Sequence, residues 1–97
     1  MATYLMLFRY TQQGIQNIKQ SPARVEQAKK AFRDMGAEVK AFYLLMGQYD
    51  TVFVVEAPDD ETIAKAALAV GSKGNVSTET LRAFTEDEFR KMVAALP

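Results

Sequence analysis

A chain of 97 residues, 48% hydrophobic and 25% charged, is long enough for one compact domain with a single core. Twelve basic residues balance twelve acidic ones, so no net field draws it toward nucleic acid or a membrane surface. The lack of cysteine and histidine excludes disulfides, thiolate nucleophiles, zinc–thiolate sites, an imidazole base and a histidine-ligated haem.

No apolar run approaches the length of a membrane span, and Met1-Ala2-Thr3-Tyr4 carries no basic start of a signal peptide. One domain over residues 1–97, located in the cytoplasm, is therefore expected. No metal-ligand spacing, phosphate loop or nucleophile elbow occurs, and no cofactor is expected.

Thr3 to Tyr10 alternates Tyr4, Met6, Phe8 and Tyr10 with Leu5, Leu7 and Arg9. Both sets are largely apolar, which predicts a first strand covered on both faces. Thr11 to Gln20 is polar and fits a single frayed helical turn. Ser21-Pro22 then opens a helix, with Ser21 predicted to cap the free amides and Pro22 suited to the first position. Val25, Ala28, Phe32 and Met35 share one face of it, and Gly36 ends it.

Ala37 to Leu45 is a second strand. Gly47-Gln48-Tyr49-Asp50 is a hairpin turn, with Gly47 supplying positive φ and Asp50 bonding nearby amides. Thr51-Val52-Phe53-Val54-Val55 is a third, central strand that Pro58 stops. Asp59 or Asp60 caps an alanine-rich helix that Gly71 and Gly74 end. Asn75 to Phe84 is a fourth strand. Thr85-Glu86-Asp87-Glu88 is a capping box, and Phe89, Met92, Val93 and Leu96 mark one face of a terminal helix.

The order is strand, helix, strand, strand, helix, strand, plus a C-terminal helix. Right-handed crossings lead to an α+β fold, the ferredoxin-like βαββαβ arrangement with an antiparallel sheet in the order 4-1-3-2. Within it, strands one and three are expected to run parallel and strand four antiparallel to strand one.

Two helices cover only one face of four strands. Whichever parity points inward, strands one and three leave apolar residues outside: Tyr4, Met6, Phe8 or Leu5, Leu7 from the first, Val52, Val54 or Phe53, Val55 from the third. Soluble monomers rarely expose such a patch. A homodimer or higher homo-oligomer packed face to face would cover it; the alternative is that the terminal helix folds back over the sheet.

Five blocks carry a resemblance: Thr11-Gln12-Gln13-Gly14-Ile15, Ser21-Pro22-Ala23-Arg24, Gly47-Gln48-Tyr49-Asp50, Glu56-Ala57-Pro58-Asp59 and the stretch from Gly74 to Phe84. Together they resemble the GYD-domain family, which is similar to the dimeric α+β barrel proteins. The resemblance implies two ferredoxin-like sheets facing one another in a barrel. The family brings no activity with it. The wider superfamily includes cofactor-free monooxygenases, haem-handling proteins and ligand-sensing domains. This chain departs from the enzymes, having no histidine, no tryptophan and only Asn17 and Asn75 as asparagines.

Candidate residues fall into three sets. Tyr49 and Asp50 offer a phenol and a carboxylate at a pocket mouth; turn chemistry is the plainer reading. Arg9, Glu56, Glu79 and Arg82 are charges within strands. Arg9 is expected near Glu56 or the Thr78-Glu79 region, to bind a polar ligand or tune a carboxylate, or to form a structural ion pair. The aromatics Tyr4, Phe8, Tyr10, Phe42, Tyr43, Phe53 and Phe84 are candidates for lining an apolar pocket, or else for packing. The reading that follows is a cytoplasmic homo-oligomer binding a small molecule or a partner. The alternatives are a cofactor-free enzyme on an aromatic or polyketide-like substrate, with Tyr49 or Glu79 carrying a proton and Arg9 stabilising an anion, and a pure assembly module.

Overall fold

The computed structural model describes residues 1–97. Its elements are β1 (Ala2–Tyr10), α1 (Gln12–Gln16), a 3₁₀ turn (Ile18–Gln20), α2 (Ser21–Asp34), β2 (Glu38–Leu44), β3 (Thr51–Ala57), α3 (Asp60–Gly71), β4 (Val76–Ala83) and α4 (Glu86–Ala94). The four strands form one sheet in the order β2-β3-β1-β4, the α+β ferredoxin-like arrangement expected, read from its other edge.

The direction of the central pair differs from expectation. β1 and β3 are antiparallel, Ala2 standing opposite Ala57 and Phe8 opposite Thr51. The crossover through α2 returns β2 parallel to β1, and the hairpin then reverses the chain, so β3 must run against β1. β4 is antiparallel to β1, with Thr3 opposite Ala83 and Tyr10 opposite Val76.

The segment after β1 is two docked turns rather than one frayed one. The Thr11 hydroxyl accepts the Gly14 amide at 3.1 Å, while the Thr11 amide donates to the Asn75 carbonyl at 3.0 Å. Arg24 donates to the carbonyls of Asn17 and Gly14 at 2.9 and 3.3 Å, satisfying groups that a short helix leaves free. Ser21 is not the cap of α2. The 3₁₀ turn runs straight into that helix, and Gln20 precedes it in a helical conformation without a side-chain cap. Ser21 is instead buried, its hydroxyl paired with that of Tyr10 at 3.0 Å.

Other signals act as read. At the end of α2 the Ala37 amide donates to Phe32 and the Gly36 amide to Arg33, the paired bonds of a Schellman motif. Asp59 caps α3 by accepting the Thr62 hydroxyl at 2.7 Å and the Thr62 amide at 2.8 Å, and these two bonds, the hydroxyl's first, lower the carboxyl's pKa. The capping box of α4 is complete: Thr85 accepts the Glu88 amide, and Glu88 accepts the Thr85 amide at 2.9 Å. The Thr85 amide, followed by its side chain, holds the Glu88 carboxyl below its usual value.

One parity of the central strands forms the core. Tyr4, Met6 and Phe8 meet Phe53, Val55 and Ala57 beneath Phe32 of α2 and Ile63 and Ala66 of α3, all buried. Phe53 is the hub, with Phe8, Phe32 and Phe42 set edge-on at 5.1, 5.6 and 5.8 Å between centroids. Val25, Ala28 and Met35 pack against the same cluster, as their spacing predicts.

Candidate functional site

The opposite parity lies on the helix-free face. The strand registers set Ala41, Val54, Leu5 and Leu81 in one row across the four strands, and Tyr43, Val52, Leu7 and Glu79 in the next. A bulge between Val39 and Ala41 brings Tyr43 to this face by shifting the register of β2. Leu5, Leu7 and Val54 are half-buried, while Tyr43 is 59% and Leu81 43% exposed. The shortest extent of the molecule is 17 Å, room for a single helix layer on the sheet. α4 buries none of its residues, and Phe89, Met92, Val93 and Leu96 stay 45 to 68% exposed. The terminal helix therefore does not shield this apolar face.

The hairpin loop, residues 45–50, closes one end of the face. Gly47 has φ +127°, the conformation read for it. Asp50 bonds backbone as expected, but across the sheet: its carboxylate accepts the Tyr10 amide at 2.8 Å. Its own amide donates to Phe8 and its carbonyl accepts from Leu45, each at 2.8 Å. Arg9 donates from Nε to the Gln48 carbonyl at 2.9 Å and lies 4.8 Å from the centroid of the Tyr49 ring. That cation–π stack holds the guanidinium at the rim with donors to spare.

Arg9, Tyr49 and Asp50 are thus brought together. Tyr43 and Glu79 share the open face with them. Glu56 lies on that face too but not near them, because the antiparallel pairing puts it opposite Thr3, at the far end of β1 from Arg9. Arg9 stands opposite Ser77, one pair along from Thr78 and two from Glu79, and no ion pair joins it to either acid. Arg82 sits at Glu56's end of the sheet, 4.3 Å from the Phe84 ring centroid and bonded to the Thr3 carbonyl at 3.2 Å.

Three groups escaped the sequence reading. The Tyr4 hydroxyl donates to the Asp60 carboxylate, a bond that, with burial, raises the tyrosine's pKa. The Tyr10–Ser21 hydroxyl pair and Arg24 lie on the helix side. Only the Ser21-Pro22-Ala23-Arg24 block hinted at the last two, and their partners are distant in sequence.

The likeness to known proteins agrees with this geometry. The family model of the GYD domain matches residues 4–93. The chain belongs to the GYD-domain family. This GYD domain is 39% identical over 84 residues to a Thermus thermophilus protein named "Glutamine synthetase and cystathionine beta-lyase binding protein", covering 86% of this chain and 88% of that one. It also resembles a Thermus thermophilus protein solved by crystallography, with a TM-score of 0.57 and 28% identity. That match covers 88% of this chain and 95% of the other.

Proposed function

We propose that this GYD domain is a non-catalytic protein-binding module that pairs with a second copy through its open sheet face and engages a metabolic enzyme. The carrying observation is the apolar row Ala41, Val54, Leu5 and Leu81, which no element of the chain covers. A stable interface removes about 800 Å² from each partner, which an apolar four-stranded face can supply. Half-buried Leu5, Leu7 and Val54, with buried Val52 and exposed Leu81 beside them, form its centre; Arg9, Glu79 and Glu56 form its charged rim.

The likeness to a protein named for binding two enzymes supports the second half of the reading and suggests the first partner to try, glutamine synthetase. Such a partner implies a cytoplasmic location. Pairing through the sheet leaves α4, with its exposed Phe89 and Met92, available to an enzyme.

Sedimentation velocity at micromolar concentration, with biolayer interferometry against purified glutamine synthetase of the same organism, tests both halves. The wild-type chain is expected as a dimer that binds the enzyme. Leu5→Lys sets a charge between Val54 and Leu81 and is expected to weaken the dimer by at least roughly tenfold. Solitary wild-type chains that ignore the enzyme would overturn the reading.

A further inference from the structure

On the other side of the sheet, α2 and α3 diverge above the point where β1 ends and β4 begins. They leave an open pocket of about 250 Å³ between them. We propose that this pocket binds a small organic carboxylate with an apolar body. It is a ligand site separate from the partner face, and it does not depend on the binding-module reading.

The first argument is shape. Ala28 on α2 and Val70 on α3 line an open cleft floored by Phe8, Phe42 and Phe53, a concave and mostly apolar shape of the kind small ligands occupy. Two of these rings are fixed edge-on against Phe53, so the floor is rigid. The volume falls just under the range of about 300–1,000 Å³ usual for ligand pockets, which calls for a ligand smaller than a typical drug.

Charge is the second. The whole chain is balanced at twelve against twelve, but the pocket wall contains Arg24 and Lys73 and no acidic residue. Neither cation has a carboxylate within 4.0 Å. Arg24 is held in place by the neutral carbonyls of Asn17 and Gly14, which fix its position without cancelling its charge. A pocket that is apolar within and doubly cationic at its wall favours an anionic head on an apolar body. An amine head would be repelled.

None of Arg9, Tyr43, Tyr49, Asp50, Glu56 or Glu79 lines this pocket. Of the candidate aromatics, Phe8, Tyr10, Phe42 and Phe53 line it, on the helix side, and Tyr4, Tyr43 and Phe84 do not.

The test is a titration of the full chain followed by amide-resonance shifts in two-dimensional NMR. The probes are indole-3-acetate and octanoate, their neutral amides, and inorganic phosphate. The carboxylates are expected to shift the amides of Ala28, Val70 and Asn75 and to bind about tenfold more tightly than the neutral amides. Lys73→Gln, an exposed change, is expected to weaken the carboxylates by several-fold and leave the amide probes unaltered. Ala28→Leu fills the gap and should abolish binding of both. If that variant does not fold, Lys73→Gln decides. Equal binding of acid and amide, tighter binding of phosphate, or shifts at Leu5, Leu7 and Val54 instead would each overturn the proposal. Because the pocket and the sheet face lie on opposite sides, a monomeric wild-type chain that still binds carboxylate would defeat only the pairing reading.

Discussion

The carboxylate of Asp50 accepts the backbone amide of Tyr10 at 2.8 Å, joining a hairpin turn to the last residue of a strand forty positions earlier. Asp50 is thus a staple. Tyr10 ends β1, where the ladder to β3 has already stopped at the Phe8–Thr51 pair, and the side chain of Asp50 takes the place of the missing strand acceptor. Beside it, the Arg9–Tyr49 stack fastens the same loop from the open face.

Removing that acceptor should cost stability without altering assembly chemistry. Asp50→Ala leaves the Tyr10 amide without its acceptor and is expected to lower the unfolding free energy by about 1–3 kcal/mol in urea titration. Asp50→Asn retains an acceptor oxygen and should lose less. A loss for Asp50→Ala inside the roughly 0.5 kcal/mol typical of inert surface changes would show that the staple is idle.

Gly14 gives a second measure of how the polar segment is docked. A Cβ there would run into the carbonyl oxygen of Asn75, the same oxygen that accepts the Thr11 amide. Neither backbone can move without breaking that bond. Gly14→Ala is expected to destabilise the protein by about 1–3 kcal/mol, seen as a lower thermal midpoint. An unchanged midpoint would mean that the segment is loosely held after all.

Tyr4 yields a pH signature. Its hydrogen bond to Asp60, then burial, raise the hydroxyl's pKa in the folded chain. The stabilisation is therefore complete below the unfolded value of about 10 and is lost as pH rises through the folded one. Tyr4→Phe should be less stable than wild type at pH 7 by about 1.5–3 kcal/mol, since the acceptor is charged. The gap should narrow in urea titrations carried into alkaline solution. A gap that stays constant with pH would remove the Asp60 bond from the explanation.

What the amino-acid sequence determined alone is the four strands and the three longer helices, their order and most of their ends. The capping box at Thr85 and Glu88, the Asp59 cap and the Gly47 turn are each encoded within a few residues, where the chain can be read directly. The apolar period of α2 likewise named Val25, Ala28, Phe32 and Met35 before any partner was known. The period of two along β1 could not say which side faces the helices, because both sides are greasy. Only packing against Phe32 and Ile63 chose Tyr4, Met6 and Phe8 and left Leu5 and Leu7 outside. Tertiary structure also decided which charges meet. The antiparallel pairing of β1 with β3 took Glu56 away from Arg9, and docking of the 3₁₀ turn into α2 made Ser21 a buried partner of Tyr10 rather than a cap. The pocket beside Arg24 and Lys73 arises where two helices distant in sequence diverge. Pairing direction and helix spacing depend on residues tens of positions apart, and no local pattern of side chains contains them.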